Sequence, residues 1–424
     1  MNAKDLLPPK IEFQEDTDPH LRAVADFEEA ARQLDLEDWI VNRLRHMERE
    51  VAVNLPLVRE GGRPVSVTGY RVQHISSGQP TVGTVRISPA ACVSELRADA
   101  MQATWQSELL NLPFGGAAGA IVCNPDELSE WELRAVAKDY VQSLRGIVGR
   151  DIDVLIPGPG CNEQTMAWML DGYSKIHGLD FGAVTGKPSS VWGLPANAEL
   201  LAHGVSKVMQ HVCRKRNRTL AGQSVSMQGF SDPASFIARA LFNAGARIVA
   251  VADISGGLYN ERGIEIPALQ KHVQENGVIY GFPEADSACN ADIVEADCDM
   301  LVTAAAERQI TVANAPRVKA GVVVEAVRRA VTPAAEAVLA AAGRPVIPDM
   351  LSTCAQLVLA FVEWNQSVTF LSSSFAEVSN EVDTRLKRAC DSIFDYAAHN
   401  AVTPRRAATV IAADRIARKL RVRN

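Results

Sequence analysis

Residues 224–253, SVSMQGFSDPASFIARALFNAGARIVAVAD, constrain the fold more than any other stretch of this chain. A short apolar run, Ser224–Met227, leads through a glycine-bearing turn into a helix-period segment. The run Ala246–Val251 follows and ends at Asp253. Strand, helix and strand in that order read as a βαβ unit, the building block of dinucleotide-binding sheets. Gly229-Phe230-Ser231-Asp232-Pro233-Ala234 approximates the fingerprint G-x-G-x-x-G/A, with Gly229, Ser231 and Ala234 at its small-residue positions. Asp253 stands at a spacing suited to an adenosine ribose. The match is imperfect in two places. Ser231 replaces the glycine that lets a pyrophosphate approach the backbone. Asp232 puts a carboxylate beside that phosphate, at a helix start that favours anions. Asp232 also reads as a helix N-cap ahead of Pro233. A Rossmann-like sheet is expected, with NAD(P) binding weakened.

The rest of the 424-residue chain alternates helix and strand signals. Leu21, Val24, Phe27, Ala30, Leu34, Trp39, Ile40 and Leu44 fall at helical spacing over 20–47. Strand-like runs follow at Glu50–Leu57, Pro64–His74 and Thr81–Ile87. A helix is expected from about Cys92 to Leu110, and another from the N-cap Ser129 to about Val148. A short strand, a Pro/Gly loop and a helix through Met166–Tyr173 come next. The loop Thr185–Pro195 marks a domain boundary, followed by a helix over Ala198–Lys215. Two long helices, about Val382–His399 and Pro404–Val422, close the chain. The expected division is residues 1–190, 191–350 and a helical segment 351–424.

Residues 113–125, PFGGAAGAIVCNP, read as a glycine-rich turn before a strand Ala120–Cys123, where a backbone passes close to a ligand. The chemically potent position of that turn holds Ala118, a methyl group. No lysine occurs between Lys10 and Lys138, so no amine from this half of the chain can act there.

Composition narrows the classes. A net charge of −7 gives no basic face for nucleic acid, and the cationic C-terminal tail (Arg405, Arg406, Arg415, Arg418, Lys419, Arg421, Arg423) reads as a solvated helix face. No apolar stretch is long enough to span a membrane. The N-terminal segment has no apolar signal core. Eight scattered cysteines without a C-x-x-C pair suit reduced thiols, so a cytoplasmic protein is expected. The eight histidines show no metal-ligand spacing, so no metal site is expected.

Ten dispersed motifs then carry a resemblance over nearly the whole chain. They are GYRVQH (69–74), PFGG (113–116), MAWM (166–169), TGKP (185–188), QGF (228–230), QIT (309–311), NA (314–315), TP (332–333), IPD (347–349) and VEW (362–364). In order and spacing the chain resembles the Glu/Leu/Phe/Val dehydrogenase family, glutamate dehydrogenase in particular. The resemblance implies an N-terminal α/β domain that binds the amino acid and drives oligomer assembly. It further implies a Rossmann domain and C-terminal helices that return toward the first domain.

The same resemblance empties the reaction centre. Oxidative deamination needs cations for the α-carboxylate, a poised amine and a proton-shuttling carboxylate. The family's catalytic lysine, in GGAKGG, falls on Ala118. Its α-carboxylate lysine falls on Gln106, and the lysine for the glutamate side chain on Val82. The proton-shuttling aspartate falls on Gly158, and a pocket serine on Ala360. Each lost acid/base group costs on the order of 10²–10⁴ in rate. Val82 and Ala360 leave an apolar pocket, with Arg86 and Gln106 as its polar members, suited to a Leu/Val-like effector.

Other residues carry two readings each. Arg86 is either a carboxylate ligand or a structural ion pair. His74 reads as a packing histidine, and Cys161 as a small residue at a helix start rather than a nucleophile. Arg328 and Arg329, in the segment facing the cofactor cleft, bind an anion, fill the cofactor space or lie on the surface. Cys354-Ala355-Gln356 replaces a flexible Ala-Gly-Gly and implies a less mobile cleft. The resulting expectation is a non-catalytic regulatory subunit. Its assembly is a hetero-oligomer with a catalytic glutamate dehydrogenase paralogue, or a homo-hexamer-like one, with an amino-acid or nucleotide effector. The alternative is an NAD(P)-dependent amino-acid or imine oxidoreductase with a remodelled site, using Arg86, Gln106, Cys161 and Glu163.

Overall fold

In this computed structural model, which describes residues 18–194 and 197–423, the helical signal over 20–47 resolves into two helices. They are α1 (Pro19–Gln33), capped by the Asp18 carboxylate, and α2 (Asp38–Arg45). A hairpin follows, β1 (Arg49–Val58) and β2 (Pro64–Ile75), turning at Gly61 and Gly62, which both take positive φ. Then come β3 (Thr81–Ile87), α3 (Val93–Leu109), β4 (Gly115–Val122), α4 (Glu130–Ser143), β5 (Asp153–Pro157) and α5 (Glu163–His177). Ser129 caps α4 through a reciprocal box with Glu132, as its sequence suggests. The helix stops at Ser143, short of the expected Val148, in a turn containing Gly146 at φ +77°. The five strands form one mixed sheet in the order β1-β2-β4-β3-β5.

The second sheet begins after α6 (Asn197–Lys215). Its elements are β6 (Ser224–Gln228), α7 (Ala234–Asn243), β7 (Arg247–Asp253), β8 (Gly256–Tyr259), α8 (Ile266–Asn276), β9 (Asp286–Ala288), α9 (Asn290–Val294) and β10 (Met300–Thr303). It is completed by β11 (Val322–Glu325), α10 (Pro333–Ala341) and β12 (Val346–Ile347). The order is β12-β11-β10-β6-β7-β8-β9, parallel from β12 to β7 and antiparallel at β8 and β9. The parallel strands are nearly continuous apolar runs because helices cover both faces of such a sheet. The chain closes with α11 (Asp349–Ser352), α12 (Ala355–Thr369), α13 (Phe375–Asn400) and α14 (Pro404–Arg423). Helix α14 packs back on α1 and α3 of the first domain, and α13 on α6.

Two sequence expectations are corrected here. The glycine-rich segment is not a turn but strand β4, five residues longer at its start than expected. Its glycines permit close packing. A Cβ on Gly116 would lie 2.1 Å from the Ala100 carbonyl oxygen of α3, and one on Gly115 would lie 1.8 Å from that of Ile75. Glycine is poor in strands generally, so the local signal misleads where tertiary crowding requires it.

The cationic tail is not a solvated face. Arg405 reaches Glu336 at 2.6 Å and Asp349 at 3.1 Å, Arg406 reaches Glu29 at 3.0 Å, and Arg421 reaches Glu37 at 2.6 Å. Arg415 donates to the Glu108 and Leu109 carbonyls at 2.8 and 3.0 Å, satisfying acceptors that the end of α3 leaves open. Arg418, 73% exposed, does face solvent.

Candidate functional site

Ala118 sits in the middle of β4, opposite Val72 of β2, and is fully buried. Its apolar neighbourhood comprises Val72, Ala91, Leu96, Ala100 and Ala120. Side chains alternate along a strand, so Gly116, Ala118 and Ala120 all face α3. The α3 backbone at Ala100 and Thr104 lies against the Gly116 end of this face.

The other positions that the sequence singled out surround this strand. Val82, in β3, pairs in register with Gly116 and Val154 and belongs to the main apolar core together with Ala360 of α12. Gly158 donates its N–H to the Val85 carbonyl at 2.8 Å, and a Cβ there would lie 2.8 Å from the same oxygen. An aspartate at this position therefore requires the backbone to move. Gln106 donates to the Met350 carbonyl and to Thr353 Oγ1, both at 3.2 Å. Phe114 meets Trp364 and Phe361 edge-on, at 5.4 and 6.2 Å between centroids, beside Ala360.

A chain of charges crosses the space between the two sheets. Arg86 (β3) pairs with Glu95 at 3.0 Å and with Asp99, both on α3. The Asp99 carboxylate also takes Arg328 and, at 3.6 Å, Arg329, from the segment after β11. Both arginines reach Glu307, at 3.6 and 3.2 Å. The Arg329 N–H donates to Asp349, which Gln102 and Arg405 also contact. Arg405 completes the chain by binding Glu325 and Glu336. Burial works to raise the Asp99 carboxyl, but the guanidiniums of Arg328, Arg86 and Arg329 outweigh it and hold it below the usual range. Burial carries Glu325 the other way, up to about 7, with Arg405 opposing and Asp349 reinforcing the rise.

Arg86 is thus an ion-pairing residue, and Arg328 and Arg329 are neither surface-placed nor free for an anion. His74 is a packing residue: Nδ1 meets Thr104 Oγ1 and Nε2 the Leu44 carbonyl, both at 2.8 Å, and burial lowers its pKa to about 4. Burial pushes the Cys161 thiol up to about 12, which disfavours the thiolate at neutral pH. Gln356 donates to the Pro157 carbonyl at 2.6 Å, and Ala355 crowds Gly204 of α6, where a Cβ would lie 2.3 Å away. Sequence reasoning missed Asp99 and Glu307, because an isolated acidic residue on a helix or loop carries no local signal, and it placed Asp349 in the IPD motif without a role.

The residues present fit the dinucleotide implied by the Rossmann sheet poorly, chiefly at Ser231-Asp232. Gly229, at φ +113°, is needed for close approach to the next strand loop, since a Cβ there would lie 2.7 Å from the Ala304 carbonyl. The cap of α7 is Pro233, not Asp232 as expected; the Asp232 carboxylate accepts from the Ser235 hydroxyl at 2.7 Å instead of from a backbone N–H. That carboxylate stands where a pyrophosphate would need positive potential. Asp253 is engaged on both oxygens. Ser255 donates its N–H and hydroxyl to one at 2.6 and 2.5 Å, and the Ile279 N–H donates to the other at 2.9 Å. Ala234 is buried at the start of α7.

A cavity of about 320 Å³ lies away from this cleft, walled by Arg150, Leu179, Asp180, Phe181, Ser367 and Phe370. Its Arg150 guanidinium is 3.6 Å from the Asp180 carboxylate, and Leu179 and Phe370 are 69% and 65% exposed around it.

A mixed five-stranded sheet facing a Rossmann-type sheet, with a terminal helix returning to the first, defines the two-domain amino-acid-dehydrogenase class. The profile described as Glutamate/Leucine/Phenylalanine/Valine dehydrogenase matches residues 193–423, and that described as Glu/Leu/Phe/Val dehydrogenase, dimerisation domain, matches 47–175. The chain belongs to this family. It is 34% identical to glutamate dehydrogenase A2 of Halobacterium salinarum over 396 residues, 93% of this chain and 95% of that one. It is 32% identical to the NAD-specific glutamate dehydrogenase of Staphylococcus aureus over the same shares. Among solved structures, the hetero-hexameric glutamate dehydrogenase of Thermus thermophilus, in its Leu-bound form, superposes with a TM-score of 0.91 at 30% identity, covering 98% of each chain. Among the described residues no helix is long and apolar enough to cross a membrane.

Proposed function

We propose that this chain is a non-catalytic, cytoplasmic regulatory subunit that assembles with a catalytic glutamate (amino-acid) dehydrogenase. The observation that carries the reading is Ala118: a buried methyl at the family's catalytic-lysine position, in a half-chain without lysine from residue 11 to 137. Gly158, Gln106, Val82 and Ala360 at the other family positions support it, as does the poor fit of Ser231-Asp232 and Asp253 to a dinucleotide. Loss of two acid/base groups alone removes about 10⁴-fold or more in rate. The hetero-hexameric, Leu-bound assembly of the Thermus relative supports both a mixed oligomer and an apolar amino acid as effector.

The effector pocket expected at Val82, Arg86, Gln106 and Ala360 is internally engaged: two of these residues pack in the core and two have their polar groups taken. The Arg150–Asp180 cavity is the better seat. Its Arg150 guanidinium, paired at the surface with Asp151 at 3.2 Å and Asp180 at 3.6 Å, suits an α-carboxylate that displaces those partners, its carboxylate an ammonium, and Leu179, Phe181 and Phe370 an aliphatic side chain. Binding there would bias the assembly through differential affinity for its states.

Affinity purification of the tagged chain from its native host, followed by mass spectrometry and an assay of glutamate deamination, tests the reading. A lysine-bearing dehydrogenase in stoichiometric yield is expected, with activity residing in that partner. A homo-oligomer that turns over glutamate or another amino acid by itself overturns it.

A further inference from the structure

Asp99 projects from α3 of the first domain, yet two of the three cations around it come from the second. Its carboxylate is 5% exposed, and the side chains of Arg328 and Arg329 are 23% and 18% exposed. Arg86, 7% exposed, approaches from β3. Glu95 also pairs with Arg86, and Glu307 with Arg328 and Arg329, so three cations face three carboxylates with Asp99 at the centre. Asp349 lies beside them but is held by Arg405 and Gln102.

We propose that Asp99 is a built-in carboxylate ligand for a three-arginine site shared by both domains, and that this latch holds the interdomain cleft shut. A carboxylate bound by guanidiniums from two bodies fixes their separation, because each pair is short-ranged and charge-assisted. Opening the cleft would exchange the Arg328 and Arg329 pairs for water, and the loss of those charge-assisted contacts favours the closed arrangement. Gln106 adds a neutral hydrogen bond from α3 to the Met350 carbonyl. The latch goes beyond the subunit reading: it concerns the mobility of this chain whether or not a partner is bound.

The experiment is hydrogen exchange on the full-length chain, wild type against Asp99→Ala. Exchange is expected to rise at least tenfold for the amides of 326–331, the segment that carries Arg328 and Arg329, while β6, β7 and β10 keep wild-type protection. Adding formate, the smallest carboxylate, is expected to restore protection in Asp99→Ala and to change nothing in wild type. Arg328→Gln, at a partly exposed position that leaves the Arg86–Asp99 pair intact, provides a second variant if Asp99→Ala fails to fold. It should show the same local rise without formate rescue. Unchanged exchange at 326–331 in the variant that folds, a rise spread evenly over the chain, or no response of Asp99→Ala to formate overturns the proposal. None of these outcomes bears on whether a catalytic partner exists.

Discussion

Lys187 and Glu363 form an ion pair, Nζ to Oε1 at 2.6 Å, with side chains 0% and 1% exposed. Glu363 also accepts from the N–H groups of Gly186 and Lys187, and Lys187 donates to the Phe181 and Val184 carbonyls. The pair ties the TGKP loop of the first domain to α12. Lys187→Met leaves a buried carboxylate without its cation and should cost about 3–5 kcal/mol. Urea denaturation of single and double variants checks this: Lys187→Met with Glu363→Leu should recover part of the loss.

Glu325 and His74 give opposite slopes of stability against pH. Glu325 is raised from 4.5 to about 7 on folding. The folded state therefore binds the extra proton, and stability falls as pH rises through that window. His74 is lowered from 6.5 to about 4. There the unfolded state binds the proton, and stability is lost as pH falls from 6.5 toward 4. Glu325→Gln mimics the protonated acid and removes only the first slope. Its stability, followed by thermal melts between pH 4.5 and 6.5, should climb more steeply with pH than that of wild type.

Restoring the family's lysine should not restore chemistry. Ala118→Lys drives an ammonium among the buried apolar side chains of Leu96, Ala100 and Val72. Burial there disfavours the charged amine and so destabilises the fold. Gly158→Asp meets the Val85 carbonyl. Neither variant, nor the pair, should reduce NAD(P)⁺ with glutamate. Measurable turnover in any of them would count against both the closed site and the misfit of the dinucleotide.

Leucine should stabilise the chain through the Arg150–Asp180 cavity. A ligand at 100 times its Kd adds about 2.7 kcal/mol. A shift in melting temperature with leucine, absent with glutamate and absent in Arg150→Ala, is the expected pattern. Equal shifts in Arg150→Ala would place the ligand elsewhere.

The βαβ unit was legible because apolar runs, a glycine turn and an acidic strand end follow from local periodicity. Strand β3 and the Ser129 cap were legible for the same reason. Strand β4 was not, since its glycines answer to the Ala100 carbonyl rather than to neighbours in the chain. The fate of the C-terminal arginines was equally hidden: Arg405 and Arg418 look alike in sequence, but one is inside and the other in water.

By itself the sequence determined the family, the two-sheet architecture and the absence of lysine from residues 11 to 137. Each is fixed by residue type, order and spacing. The tertiary structure alone decided that Ala118 is sealed beneath α3, that Asp253 is engaged by its own loop, and that Asp99 meets arginines more than 200 residues away. Those outcomes depend on which charges and carbonyls packing brings within a few ångströms, and sequence separation carries no record of that distance.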